Sequence, residues 1–318
     1  MRTLALLLMM LAAPAAAQTA SERVFRLAEL APSAASLEIT REETLPELAK
    51  LGFREGRNLI LEERAGEPAE MERLARELLL AKPDAIIAIG PDAMSAAAGA
   101  TKTVPIVTFG NDPVRRGLAA SYARPGGNVT GVVILAEDLD GKRLDVLHEA
   151  VPAARRVAAL FLPSLAYRQT TERDVRTVAS SSGIELLAFD AEGPGDYPAA
   201  FAAMRVAGAQ ALLITANAMF NRDARRLAQL ALETRLPMMC EWAENARSGC
   251  LLGYGPSRGD LRRRVAHHVA RIFQGTMPGD LPIEMPTRFE LAINLKTAKA
   301  LGLEVPASLL ARADEVIE

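Results

Sequence analysis

Short apolar runs recur along the chain, most of them closed within a few residues by Gly, Pro, Asn or Asp. They fall at Val24–Leu30, Leu59–Glu63, Ala85–Ile89, Ile106–Phe109, Val129–Val133, Val157–Leu162, Ile184–Phe189, Ala211–Ile214, Pro237–Cys240 and Leu251–Tyr254. Most are continuous rather than alternating, which is the pattern of strands covered on both faces of a sheet. The segments between them follow a different period. Met71, Leu74, Ala75, Leu78 and Leu79 return at helical spacing, and further helices are expected up to Leu51, up to Ala100, over Asp138–Ala150 and over Asp260–Gln274. Ten strands separated mostly by helices predict an α/β fold with parallel sheets.

The stretch from Pro105 to Val133 divides the pattern. Ile106–Phe109 runs into Gly110-Asn111-Asp112-Pro113, whose residues suit a turn and a helix start. Pro125-Gly126-Gly127-Asn128 then delivers the next strand. Two sheets of about five strands, split at this connection, suit ordinary domain sizes better than one sheet of ten.

Composition adds an address and removes some partners. Of 318 residues, 50% are apolar and 24% charged, with a formal net charge of −2. That balance gives no electrostatic footprint for nucleic acid or for a membrane surface. Arg2, the apolar run Leu4–Leu11 and Ala15-Ala16-Ala17 have the three parts of a cleavable signal peptide over residues 1–17. No Cys lies near the cleavage point, so no lipid anchor is expected on the periplasmic product, which is separately expected to be a monomer. Cys240 and Cys250 are the two cysteines. They flank a turn-like segment, where they either pair in an oxidising compartment or stay as two separate buried thiols. With no CxxC spacing and no His beside them, neither redox catalysis nor a metal site is expected.

Several ordered motifs carry a resemblance. Asn111-Asp112-Pro113-Val114, Ala123-Arg124-Pro125-Gly126-Gly127-Asn128-Val129-Thr130-Gly131, Gly141-Lys142-Arg143-Leu144 and Tyr254-Gly255-Pro256 lie in the body of the chain. Pro286-Thr287-Arg288-Phe289-Glu290-Leu291 and Asn294-Leu295-Lys296-Thr297-Ala298-Lys299-Ala300-Leu301-Gly302-Leu303 follow near its end. Together they resemble the substrate-binding components of bacterial ABC importers, in the family that includes tryptophan-binding members. The resemblance implies a type I periplasmic binding protein: two Rossmann-like α/β domains joined by a three-crossover hinge. It places 24–128 plus 256–283 in an N-terminal domain and 129–255 plus 284–318 in a C-terminal domain. Pro286-Thr287 would be the third crossover. The implied partners are a small-molecule ligand and the permease and ATPase subunits of the inner membrane, with no cofactor.

In open parallel sheets ligands bind beyond the carboxyl ends of the strands, where helix N-termini offer free N–H groups to a carboxylate. That rule selects Ser33, Asp92, Asn111, Asp112, Tyr167, Asn217, Glu241 and Tyr254 as candidate ligand-binding residues. Asp92 and Asp112 read as helix caps ahead of ligand contacts; Asn217 reads equally as either. Glu241 and Glu244 are candidates for a ligand ammonium, with Glu241 favoured because it directly follows a strand. The chain has only nine Phe, four Tyr and one Trp. Phe109, Tyr167, Phe220, Trp242 and Tyr254 all fall at or just past strand ends, which suggests an apolar or aromatic wall. His148, His267, His268 and the run Arg262–Arg264 read as solvated helix surface. No Ser-His-Asp, Cys-His, paired-carboxylate or metal arrangement can be assembled, so no catalytic residue is expected. The reading is a solute receptor that closes on a small carboxylate-bearing ligand; the alternative is a periplasmic sensor subunit for a receptor kinase.

Overall fold

The structure, a computed structural model, describes residues 23–135, 137–165 and 167–318. The expected signal peptide lies outside the described residues. Among the described residues, no helix is long and apolar enough to cross a membrane.

The first sheet contains β1 (Phe25–Ala31), β2 (Leu59–Ala65), β3 (Ala85–Ile89), β4 (Ile106–Gly110) and β5 (Val129–Val133), in the order β2-β1-β3-β4-β5. Every pairing is parallel. β3 and β4 are buried at each position, so neither face needs polar residues. One face packs Ala28, Leu30, Ile86 and Ala88 under the helices Met71–Leu80 and Gly90–Ala100. The other packs Leu27, Ile87 and Val107 under Leu261, Val265 and Val269 of the helix Arg258–Phe273.

The second sheet contains β6 (Arg156–Phe161), β7 (Glu185–Asp190), β8 (Ala211–Ile214), β9 (Met238–Cys240), β10 (Leu252–Pro256), β11 (Phe289–Asn294) and β12 (Glu315–Ile317). Its order is β12-β11-β10-β9-β8-β6-β7, and β11 runs antiparallel to β10. All ten expected strands are present within two residues of their expected ends. β11 and β12 were not expected.

Two expected domain limits move. The boundary after Asn128 assigns Val129–Val133 to the second domain, but these residues pair in register with Ile106–Gly110 of the first sheet. The Asn128 amide donates to the Thr101 and Val104 carbonyls, so the Pro-Gly-Gly-Asn turn stays inside the first lobe. Gly131 makes the pairing close. Its φ is +143°, and a Cβ there would stand 2.2 Å from the Thr108 carbonyl oxygen. Glu284, expected in the second domain, also stays with the first. Its N–H donates to Gly131 and its carbonyl accepts from Val133, both at 2.9 Å. The chain therefore crosses between β5 and the helix Asp140–Ala150, at Ser257, and between Glu284 and β11. Ser257 N–H donates to the Arg288 carbonyl at 3.0 Å, tying the second and third crossings together.

Cys240, the last residue of β9, is bonded to Cys250, and both are buried. The bridge closes the loop that carries Glu241, Trp242 and Glu244. Closing a loop of this length removes about 3 kcal/mol of chain entropy from the unfolded state. Oxidised and reduced protein unfolded in urea should differ by about that amount. Equal midpoints would show that packing alone holds the loop.

Candidate ligand-binding site

The carboxyl ends of the two sheets face each other. Arg222, in the helix Ala218–Arg222 beyond β8, has its pKa raised first by hydrogen bonding to Asp223 and least by Glu67, which lies beyond β2 in the other lobe. Trp242 follows β9 yet is only 4% exposed, because it packs in the first lobe's apolar cluster with Leu261, Val265 and Phe109.

In the first lobe, Ser33 caps the helix Ala34–Ile39, its Oγ accepting the Ser36 N–H at 3.3 Å. Asn111 is half-buried and lines a small recess with Gly110, Asp112, Val133 and Leu135. Asp112 is committed internally. Its Oδ1 accepts the N–H groups of Val114 and Arg115 at 2.8 and 3.1 Å, and Oδ2 accepts the Tyr122 hydroxyl. That last bond pushes the Tyr122 phenol pKa up. Asp92 is exposed and faces an outer groove with Glu72, Arg76 and Ser95, between the helices Met71–Leu80 and Gly90–Ala100. Phe109 is buried in the sheet face with the Arg262 guanidinium 4.1 Å above its ring. It forms core, not an open wall.

In the second lobe, Asn217 caps the helix Ala218–Arg222. Its Oδ1 accepts the Phe220 N–H at 2.8 Å, and its Nδ2 donates to the Thr215 carbonyl at 3.2 Å. Phe220 is core, with its ring centroid 6.1 Å from that of Tyr197. Tyr167 is half-buried just before the helix Arg168–Ser181. Tyr254 stacks on Phe289 with centroids 6.2 Å apart, and burial raises its phenol pKa. Glu241 is buried directly after β9. Thus Ser33, Asn111 and Asp112 lie just past strand ends of the first sheet and Asn217 and Glu241 just past strand ends of the second, while Trp242 packs into the first lobe's cluster. The structure turns Asp92 outward and draws Phe109, Phe220 and Tyr254 into packing.

The Glu241–Trp242 turn is held from below. Arg143 is 0% exposed and forms an ion pair with Asp140 at 2.7 Å. Its Nε donates to the Tyr254 carbonyl at 2.8 Å and its Nη2 to the Glu241 carbonyl at 3.1 Å. Asp140 Oδ2 accepts the Ala216 N–H at 3.2 Å, next to Asn217. One buried pair thus positions the ends of β8, β9 and β10. Gly253 allows the turn to lie on β10, since a Cβ there would meet the Trp242 carbonyl oxygen at 2.1 Å. Arg143 was not among the candidate residues read from the sequence, although it stands in one of the motifs noted there.

Two helix residues read as solvated are buried. Arg262 is 2% exposed, and His268 holds the Arg264 and Pro282 carbonyls at 2.9 Å on its two ring nitrogens. Arg262 belongs to a polar relay inside the first lobe: it donates to the Thr40 hydroxyl at 2.9 Å, which donates to Glu29 at 2.7 Å. Burial pushes Glu29 up to about 8 and Arg262 down to about 10. Among the described residues, no three His, Cys, Asp or Glu side chains are grouped to hold a metal ion.

Two α/β lobes, three crossings and facing strand ends define a periplasmic-binding-protein fold of type I. The chain belongs to the ABC transporter substrate-binding protein family, whose profile matches residues 33–317. It is 23% identical over 273 residues to a tyrosine-binding protein of Clostridioides difficile, covering 85% of this chain and 78% of that one. Among solved structures it is similar to a conserved domain protein of Vibrio cholerae, with a TM-score of 0.84 and 24% identity over 92% of this chain and 100% of that one. It is also similar to an ABC domain from Streptococcus pneumonia in complex with L-Trp, with a TM-score of 0.82 and 20% identity over the same shares.

Proposed function

We propose that this protein is the extracytoplasmic receptor of an ABC importer. It closes between its lobes on a small carboxylate-bearing ligand and hands it, chemically unchanged, to the permease. The observation that supports this reading is that Trp242, which follows β9 of the second sheet, packs in the first lobe's apolar cluster, next in sequence to the buried Glu241. The helix Gly90–Ala100 starts directly after β3 with no side chain capping its first turn, which suits a ligand carboxylate. Glu241 suits an ammonium. An aromatic or branched amino acid therefore ranks first, and an aromatic or aliphatic acid second. The tyrosine-binding relative and the L-Trp complex support the same order.

The test is to unfold the protein, remove carried-over ligand, refold it, and titrate amino acids and aromatic acids against melting temperature and Trp242 fluorescence. A ligand of this class at a hundred times its Kd should stabilise the fold by about 2.7 kcal/mol. A panel that changes neither readout would overturn the proposed ligand class. A melting shift with silent fluorescence would remove Trp242 from the ligand's surroundings.

A further inference from the structure

The helix Arg258–Phe273 begins two residues after the end of β10, where the chain re-enters the first lobe. Its first residue holds a carboxylate from each lobe. Arg258 Nε donates to Glu43 Oε1 at 3.0 Å, with Nη2 2.9 Å from the same oxygen. Glu43 lies in the wide helical turn Thr40–Thr44 of the first lobe. The same Nε stands 3.5 Å from Glu244 Oε1. Glu244 sits in the short helix Ala243–Ser248, whose Ala243 and Ala246 pack on Ala292 of the second sheet.

The three groups are mostly buried, and two carboxylates share one guanidinium. Glu43 Oε2 and Glu244 Oε2 are both buried without a hydrogen-bond partner. Burial raises the Glu244 pKa, and Arg258 opposes that rise. A partly desolvated carboxylate depends on its one cation more than an exposed one does. Arg258 and Glu43 both ride on the first lobe. An opening rotation about the crossings therefore stretches the Arg258–Glu244 contact and leaves Arg258–Glu43 intact. A contact made in one state and lost in the other shifts the equilibrium toward the first.

Glu244 is not independent of the candidate ligand contacts. It lies three residues past Glu241 and two past Trp242, inside the loop closed by Cys240–Cys250. We propose that Arg258 is a positioning residue that latches this loop to the first lobe and thereby sets how long a bound ligand stays. The latch rests on the receptor reading above.

The experiment compares wild type with Arg258→Met, which keeps the apolar stem, with Glu244→Gln, and with the double variant. L-tyrosine is the probe, followed by calorimetry and stopped-flow fluorescence; small-angle scattering of the ligand-free proteins reports the lobe arrangement. Each single variant should speed L-tyrosine release about tenfold with little change in association, as loss of a buried charged partner does. The double variant should be no faster than either single one, because one contact is lost in all three. Both single variants should also show a larger ligand-free radius of gyration. A drop in melting temperature with wild-type release and scattering would reduce Arg258 to a structural role and overturn the latch. Should the wild type bind no L-tyrosine, that ligand is struck from the receptor reading, and scattering alone decides the latch: expansion in Glu244→Gln supports it and an unchanged radius overturns it.

Discussion

Arg143→Met should destabilise the protein by about 3–5 kcal/mol, because removing one member of a buried ion pair strands the other. Arg143 is 0% exposed and Asp140 1% exposed, so no water replaces the lost guanidinium at the Asp140 carboxylate. The Glu241 and Tyr254 carbonyls lose a donor in the same step. Urea unfolding checks the magnitude. The second variant in the test, Arg143→Met with Asp140→Leu, removes the stranded charge and should recover part of the loss, as replacing a whole buried pair often does. A single variant within about 1 kcal/mol of wild type would mean that the site relaxes or admits water, contrary to the burial seen here. The functional consequence follows from position. The donors lost are those that hold the Glu241–Trp242 turn, so ligand affinity should fall even at temperatures where the variant remains folded.

The strand frame was legible because the buried parallel strands are mostly apolar, β3 and β8 at every position, and several are followed within a few residues by Gly, Pro or Asn. β11 escaped notice because Phe289–Asn294 carries Glu290 and follows a crossing rather than a helix, and β12 spans only three residues. The candidate site was legible by location and less so by direction. Phe109 and Val107 share one face of β4, and period-two alternation aims both at the core rather than at the cleft. Arg262 had a signal too. It stands three, four and seven residues before Val265, Ala266 and Val269, which places it on the apolar stripe of its helix. Its triple-Arg context hid that spacing. Asn217 was ambiguous in sequence because capping and ligand binding ask for the same side chain, and only the hydrogen bond to Phe220 assigns it as a cap. The Arg143 contacts were not readable at all, since both acceptors are backbone carbonyls about a hundred residues away in sequence, at separations of 111 and 98.

Stability should fall as pH rises from about 5 to 8, and Glu29 should account for most of that slope. Glu29 lies on β1 between Leu27 and Ala31, on the face covered by the helix Arg258–Phe273. It is 0% exposed, with one hydroxyl donor on Oε1 and no partner on Oε2. Burial is the largest influence on it and raises its pKa from 4.5 to about 8; the Thr40 hydrogen bond and the Arg262 charge lower it by less, and Glu63 adds to the rise. Arg262 remains a cation throughout this range. Between the two pKa values the native state keeps a proton that the unfolded chain has lost. The unfolded state then binds fewer protons, so stability declines with pH, by up to about 1.4 kcal/mol per pH unit. Across the window the loss approaches about 4–5 kcal/mol, and above pH 8 the Glu29 contribution is flat. Glu29→Gln copies the protonated carboxyl in shape and keeps an acceptor for Thr40. It should match wild type near pH 5 and exceed it by several kcal/mol near pH 8. Other carboxyls with raised pKa values, Glu244 among them, titrate in both proteins and cancel in the difference. Parallel stability curves for the two proteins would show that Glu29 folds as a carboxylate, held by Thr40 and Arg262 strongly enough to outweigh its burial.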